Sequence, residues 1–310
     1  MITDTTMLYL YTETPLHAGV GSGLSSIDLP IQRERTTQYP MIQGSGIKGK
    51  LRATAEEAKV EQAIINILFG ASIHEQKGDK SNSDEKDYAG ALIAGDARIL
   101  LFPVRSLNGV FAYTTSCDIL NRFKRDIERS KGSAALPWSV PDNDDKVALV
   151  TTSNDVAFNN AIVLEDFSFD VQASAQVKQQ VDTIADWIAN NALPPLGTGS
   201  YWPNKVRSSL VILPNDDFRD FTLHATEVIT RVRINRDSKT VESGALWTEE
   251  HLPTDTLMYV PMYATAARNN GRTMSANDVL KEAKKLELLT LQLGGDETVG
   301  RGIVRTRWSE

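Results

Sequence analysis

The residues 41–52, "MIQGSGIKGKLR", carry the spacing of a nucleotide-binding loop: Gly44, four residues, then Gly49 and Lys50. Such a loop places Ser or Thr after the lysine, because that hydroxyl ligates the Mg²⁺ bridging the terminal phosphates. Here the position is Leu51, which ligates nothing, and the apolar "ARILLFP" (97–103) ends without the acid that a second magnesium motif would supply. A nucleoside-triphosphate hydrolase is therefore disfavoured. What survives is the local physics. Small residues at a helix start present unpaired N–H groups, and Lys48, Lys50 and Arg52 stand nearby, so an anion would be welcome. The plainer alternative is a strand-to-helix turn with ordinary surface lysines.

The elements around this loop alternate. "TMLYLYTE" (6–13) reads as a strand, "HAGVGSG" (17–23) as a glycine-rich turn, and "SSIDLPIQRE" (25–34) as extended, with Asp28 between two apolar residues and ahead of Pro30. The apolar spacing of Ile47, Leu51, Ala55, Ala58 and 63–68 predicts one helix over 45–69, ended by Gly70. The polar stretch 71–90 reads as a mobile surface loop. Strands are expected in 90–116, 160–173, 208–214 and 255–264, and helices at 117–130, 174–191, 215–223 and 277–289. Alternation around Asp237–Ser238 predicts a long hairpin within 227–253. Hairpins mixed with helices, and no even βαβ repeat, favour an α+β fold: an antiparallel sheet with helices on one face.

The 310 residues suit one large domain or two small ones. No apolar run is long enough to span a membrane. The first residues lack a basic segment and a cleavage site, so a cytoplasmic protein without secretion is expected. The single cysteine, Cys117, excludes an internal disulfide. With His17, His74, His224 and His251 as the only histidines, a structural zinc cluster cannot be assembled at the usual spacings. Any catalytic metal would rest mainly on carboxylates and substrate phosphates. The net charge of −7 argues weakly against a free-standing nucleic-acid binder. Yet basic residues cluster in 31–52 and 301–307 and acids in 79–87 and 142–145, which permits a basic groove on an acidic body.

Four segments stand out as an ordered set: "LHAGVGSG" (16–23), "IDLPIQRE" (27–34), "IQGSGIKGKLR" (42–52) and "LGGDETVGRG" (293–302). Together they resemble the RAMP superfamily of CRISPR proteins. "GALWTEEHLP" (244–253) and the length narrow the likeness to the backbone subunits of type III-B (Cmr) antiviral-defence complexes. The resemblance implies a ferredoxin-like, RRM-like core with insertions, a single domain over 1–310, and a protruding β-hairpin thumb that interrupts the guide–target duplex. It places the thumb in the variable middle of the chain or in 231–247. It implies copies stacked as a helical filament on a guide crRNA beside other Cmr subunits, with no membrane. Complementary single-stranded target RNA would be cut at regular intervals by a metal-dependent endoribonuclease, active mainly within the assembled complex. A non-catalytic RNA-binding scaffold is the alternative.

By the same resemblance Asp28 matches the catalytic aspartate, which would be a ligand for Mg²⁺ or Mn²⁺. His17 matches a position associated with cleavage, as does Glu249, with Glu250 beside it an alternative match. His251 is a further catalytic candidate and falls where relatives tend to carry Tyr, which unlike His cannot take a positive charge. Gly44, Ser45, Gly46, Lys48, Lys50 and Arg52 are expected at the guide backbone, with Gln43 replacing a common proline. Gly294, Gly295, Gly300, Arg301 and Gly302 match the superfamily's C-terminal glycine-rich loop, which packs on the same RNA face.

Overall fold

In the computed structural model the described residues are 4–23, 27–71, 89–131, 136–143, 147–267, 273–286 and 289–309. Most of the loop expected at 71–90 lies outside them. The strands are β1 Asp4–Thr12, β2 Met41–Ile42, β3 Leu92–Ala94, β4 Ala97–Arg105, β5 Phe111–Ser116, β6 Leu149–Val150 and β7 Ala161–Leu164. They continue as β8 Phe167–Asp170, β9 Leu210–Leu213, β10 Glu227–Ile234, β11 Val241–His251, β12 Leu257–Ala264, β13 Thr290–Gln292 and β14 Ile303–Trp308. The helices are α1 Gly44–Glu57, α2 Gln62–Phe69, α3 Cys117–Lys131, α4 Ala175–Trp187, α5 Tyr201–Ser209, α6 Asn215–His224 and α7 Ala276–Lys285.

Ten strands form one sheet in the order β13-β14-β1-β12-β4-β5-β9-β6, with β2 on β4 and β3 on β12. The pairs are antiparallel except β5 with β9, where Tyr113 to Ser116 run parallel to Leu210 to Leu213. The sheet is therefore mixed, and the expectation of an all-antiparallel sheet is corrected at that pair. The long crossover from β5 to β9 carries α3, β6, the β7–β8 hairpin, α4 and α5, which is the length a parallel connection needs.

The first and last described strands lie side by side: β1 pairs β14 from Leu8↔Trp308 to Thr12↔Val304. A hydrogen bond of 2.9 Å between the Thr6 and Ser309 hydroxyls closes that seam. Consecutive residues Met7 to Tyr11 are all buried although successive side chains of a strand point to opposite faces. Both faces of the sheet's centre are thus covered, where one covered face was expected. α3 and α7 both pack on β1.

The continuous helix expected over 45–69 is two helices. α1 stops at Ala58, Lys59 takes a left-handed φ of 57°, and α2 starts after Glu61. A single lysine can adopt that conformation at a cost of roughly 1–2 kcal/mol, so apolar periodicity runs through a break it cannot register. Gly70, with φ 99°, ends α2.

β10 and β11 form a separate ribbon, from Glu227↔His251 to Ile234↔Val241. It exposes Val228 at its base and Val232, Ile234, Val241 and Leu246 in its outer half. Exposed apolar residues in such number, beside Arg231, Arg233, Arg236 and Lys239, mark a surface that meets something other than water.

Candidate functional site

The loop after β1, the extended segment 27–34 and the end of β11 are stitched into one small layer. Leu16 and Leu252 exchange backbone bonds of 2.9 and 2.8 Å, and Gly19 bridges Ile31. Leu29 bridges Glu249, donating to the Thr248 carbonyl (3.0 Å) and accepting from the Glu250 amide (3.0 Å). The C-terminal glycine loop docks on this layer: the Gly295 amide donates to the His17 carbonyl at 2.9 Å and the Gly302 amide to that of Pro15 at 2.9 Å. Gln32 ties the layer to α1, donating through Nε2 to the Gly19 carbonyl (3.1 Å) and accepting the Gln43 amide (2.8 Å).

These contacts enclose an open cleft of about 660 Å³. His17, Ser45, Gly46 and Lys50 line it, joined by Gly49, Gln32, Gln43, Gly294 and Gly295. The helix start, the HAG loop and the C-terminal glycine loop, which lie far apart in sequence, thus face one space. Other expected contacts lie elsewhere. Gly44 meets the backbone of Ala94 and Gly95 and donates its amide to Asp96 at 2.8 Å, so it serves packing and capping. The Gly46 amide bonds the Gln43 carbonyl at 3.0 Å, so fewer amides are free here than the sequence suggested. Arg52 is committed to Glu56 (2.8 Å) and to the Gly70 carbonyl (3.0 Å). Lys48 is half-buried, and burial, helped by the nearby Arg52 charge, lowers its pKa. Gly300, Arg301 and Gly302 do not line the cleft.

Gly294 is held at φ 81°, and a Cβ there would lie 2.2 Å from the His17 carbonyl oxygen. Gly294→Ala is expected to destabilise by about 1–3 kcal/mol, read by chemical denaturation, because strain and a backbone collision act together. Gly49 makes the opposite control. A Cβ there meets nothing within 4 Å, so Gly49→Ala should stabilise α1 by up to about 1 kcal/mol. Its methyl would stand in the cleft wall, so the cleft should narrow even as stability rises.

Asp28 lies on the exposed edge of the layer. Its Oδ2 accepts the Thr248 amide (2.8 Å) and hydroxyl (3.0 Å), while its own amide donates to Thr248 Oγ1 at 3.0 Å. Oδ1 makes no bond among the described residues. The two Thr248 bonds hold this carboxyl below its ordinary pKa, so it is ionised at neutral pH. His17 Nδ1 lies 2.6 Å from the Glu250 carbonyl. A carbonyl can only accept, so Nδ1 carries the proton and Nε2 is the nitrogen left for chemistry.

Strand parity separates the two adjacent glutamates. Glu250 is buried; its Oε1 takes Arg33 (2.5 Å) and Thr226 (2.9 Å), and its Oε2 takes the Ile31 amide (3.0 Å). Glu249 points to the other face with His251. There Glu249 accepts Arg231 Nε (2.8 Å) and Trp247 Nε1 (2.7 Å), and Arg231 Nη2 reaches Asp296 at 2.9 Å. Burial, then the His17 and Arg301 charges, push the His251 pKa down, so its imidazole is neutral near pH 7. Sequence reasoning passed over Thr248, Arg231 and Asp296. Asp296 carried a signal: an acid inside a glycine-rich run, here at φ 62°, a conformation that Asp tolerates better than most residues.

Glycine loops gathered over a mixed sheet define the class, and the RAMP superfamily matches residues 9–305: the chain belongs to the RAMP superfamily. It is 37% identical over 305 residues to the CRISPR system Cmr endoribonuclease Cmr4 of Pyrococcus furiosus, covering 97% of this chain and 94% of that one. The crystal structure of oligomeric Cmr4 from Pyrococcus furiosus superposes with a TM-score of 0.72 at 30% identity, over 99% of this chain and 98% of that one. A cryo-EM structure of the type III-B Cmr-beta complex bound to cognate target RNA contains a chain of the same fold. Its TM-score is 0.70 at 20% identity, over 99% of this chain and 98% of that one.

Proposed function

We propose that the chain is a backbone subunit of a type III-B CRISPR ribonucleoprotein that binds guide RNA and cuts complementary target RNA at regular intervals. The observation that carries this reading is Asp28: an exposed, ionised carboxylate with one oxygen fixed by Thr248 and the other free. It stands four residues before Gln32, which lines the glycine-lined cleft, while Asp28 itself lies outside that lining. The 37% identity to a protein named as an endoribonuclease supports it.

In the chemistry that fits, the ribose 2′-oxygen attacks the adjacent phosphorus and loses its proton as the 5′-oxygen departs with one. The products are a 2′,3′-cyclic phosphate and a 5′-hydroxyl. The guide–target pairing supplies alignment of attacking and leaving oxygens, and the protein contributes fixed charge beside the phosphate. Mg²⁺ or Mn²⁺ bound through the free oxygen of Asp28 would neutralise phosphate charge and lower the pKa of the 2′-hydroxyl. His17 would hold or deliver a proton through Nε2, and Lys50 with the Ser45–Gly46 start of α1 would hold the guide backbone.

The sheet and its helices form a ferredoxin-like core within one domain. The β10–β11 ribbon is the thumb, its exposed valines and isoleucine set against nucleobases and its arginines against phosphates. Successive copies stack along the guide with other Cmr subunits, in the cytoplasm. The test is a reconstituted complex with guide and end-labelled target. Mg²⁺-dependent products at a constant interval, bearing 5′-hydroxyl ends and lost with EDTA, are expected. Target retention without cutting under any divalent ion would instead make the chain a scaffold.

A further inference from the structure

We infer that Glu249, His251 and Asp296 form a divalent-cation site at the base of the β10–β11 ribbon, separate from Asp28 and closed by Arg231 when no ion is bound. The three side chains each offer one donor atom, all within 4.8 Å of one another. Two carboxylates alone would say little, but His251 adds an independent sign. Its side chain has 0% exposure, and among the described residues neither ring nitrogen has a partner within hydrogen-bond distance. A buried imidazole with both nitrogens unpaired is costly unless something comes to meet it. Nε2 points into the cluster, 3.6 Å from Asp296 Oδ2 and 3.9 Å from Glu249 Oε2.

Ligand atoms around an ion with bonds of ~2.1 Å sit roughly 3 Å apart, so the two His251 edges must contract by somewhat under ~1 Å and the Glu249–Asp296 edge by at most about 2 Å. Glu249 and His251 are fixed by strand parity on rigid β11, so Asp296, on its loop and partly exposed, supplies the movement and the entry path. One imidazole with two carboxylates suits Mn²⁺, Co²⁺ or Zn²⁺ better than Mg²⁺, which prefers all-oxygen ligation. Arg231 now bridges the same two carboxylates, so its guanidinium is the cation that an ion must displace. The exchange is a swap of one cation for another, with no proton or electron required. Asp28 does not belong to this set, because Thr248, which holds it, precedes Glu249 and points to the opposite face of β11. An ion here would lock the ribbon to the C-terminal glycine loop.

Co²⁺ titration of the full-length chain, without RNA, tests this independently of any cleavage. One bound ion per chain is expected, because without RNA phosphates Asp28 offers an ion a single oxygen, with visible d–d absorption and quenching of Trp247, whose indole donates to Glu249 at 2.7 Å. His251→Tyr and Asp296→Asn should each weaken binding by about tenfold or more with an unchanged circular dichroism spectrum. Asp28→Ala should bind as the parent does, and Arg231→Gln should bind more tightly. Absence of bound Co²⁺, or binding that survives both ligand changes, overturns the site. Weaker binding in Arg231→Gln overturns the role given to that arginine. Because no RNA is present, a failure here leaves the nuclease reading to its own test.

Discussion

Asp28→Asn is expected to reduce target cutting by about 10²–10⁴-fold in the assembled complex while leaving guide and target binding at parental levels. The amide is nearly isosteric, and its oxygen can still accept from the Thr248 amide and hydroxyl, so the segment keeps its place. What disappears is negative charge at an exposed oxygen. Cutting at the parental rate would remove Asp28 from the chemistry. A companion change, Thr248→Val, leaves the charge but releases one of its two anchors. The carboxyl pKa should then rise toward its ordinary value, and cutting should fall by roughly tenfold as positioning loosens.

The sign of the pH dependence follows from the same bonds. The folded pKa of Asp28 lies below the unfolded one. Its contribution is therefore fully present above the unfolded value near ~3.9 and is lost only as pH falls through the folded value. Any acid limb seen between about pH 5 and 8 in the cleavage profile must then come from another group.

The second large effect falls on the neighbouring glutamate that touches no substrate in this scheme. Glu250→Ala should destabilise the fold by about 3–5 kcal/mol, seen as a fall in Tm of roughly 5–10 °C. The change strands the Arg33 guanidinium, which is 14% exposed, together with the Ile31 amide and the Thr226 hydroxyl. Removing one partner of a buried pair leaves an uncompensated charge, which costs more than the pair contributes. Glu249→Ala should be milder on Tm, since Arg231 is 25% exposed and keeps Asp296. If the two alanine variants melt alike, the division of labour read from strand parity is wrong.

That division was legible in the sequence only in part. "TEEH" lies in an alternating stretch, so Glu249 and Glu250 had to face opposite ways, and Glu249 had to share a face with His251. Which face was functional depended on partners far along the chain: Arg33 and Ile31 for one glutamate, Asp296 for the other. Asp28 stood out in "IDLP", but Thr248, 220 positions away, fixes its orientation, and no local pattern announces such a partner. Arg52 could have been read better, because Glu56 four residues on is the usual helical ion-pair spacing. α5 escaped notice since Pro203 lies in its first turn, a position that proline tolerates but that reads as a breaker. The mixed sheet escaped because the parallel partner of β5 follows after nearly a hundred residues of other elements.

The seam between β1 and β14 sets the order in which this protein can be made. The His17 loop emerges early from the ribosome, but the strand and glycine turn that hold it, residues 289–308, emerge some 270 residues later. At about 5–20 residues per second the cleft stays unassembled for roughly 15–55 seconds of synthesis, its most non-local contacts closing last. A nascent chain therefore has no finished groove in which to capture RNA, and commitment to a guide becomes an event of the completed molecule.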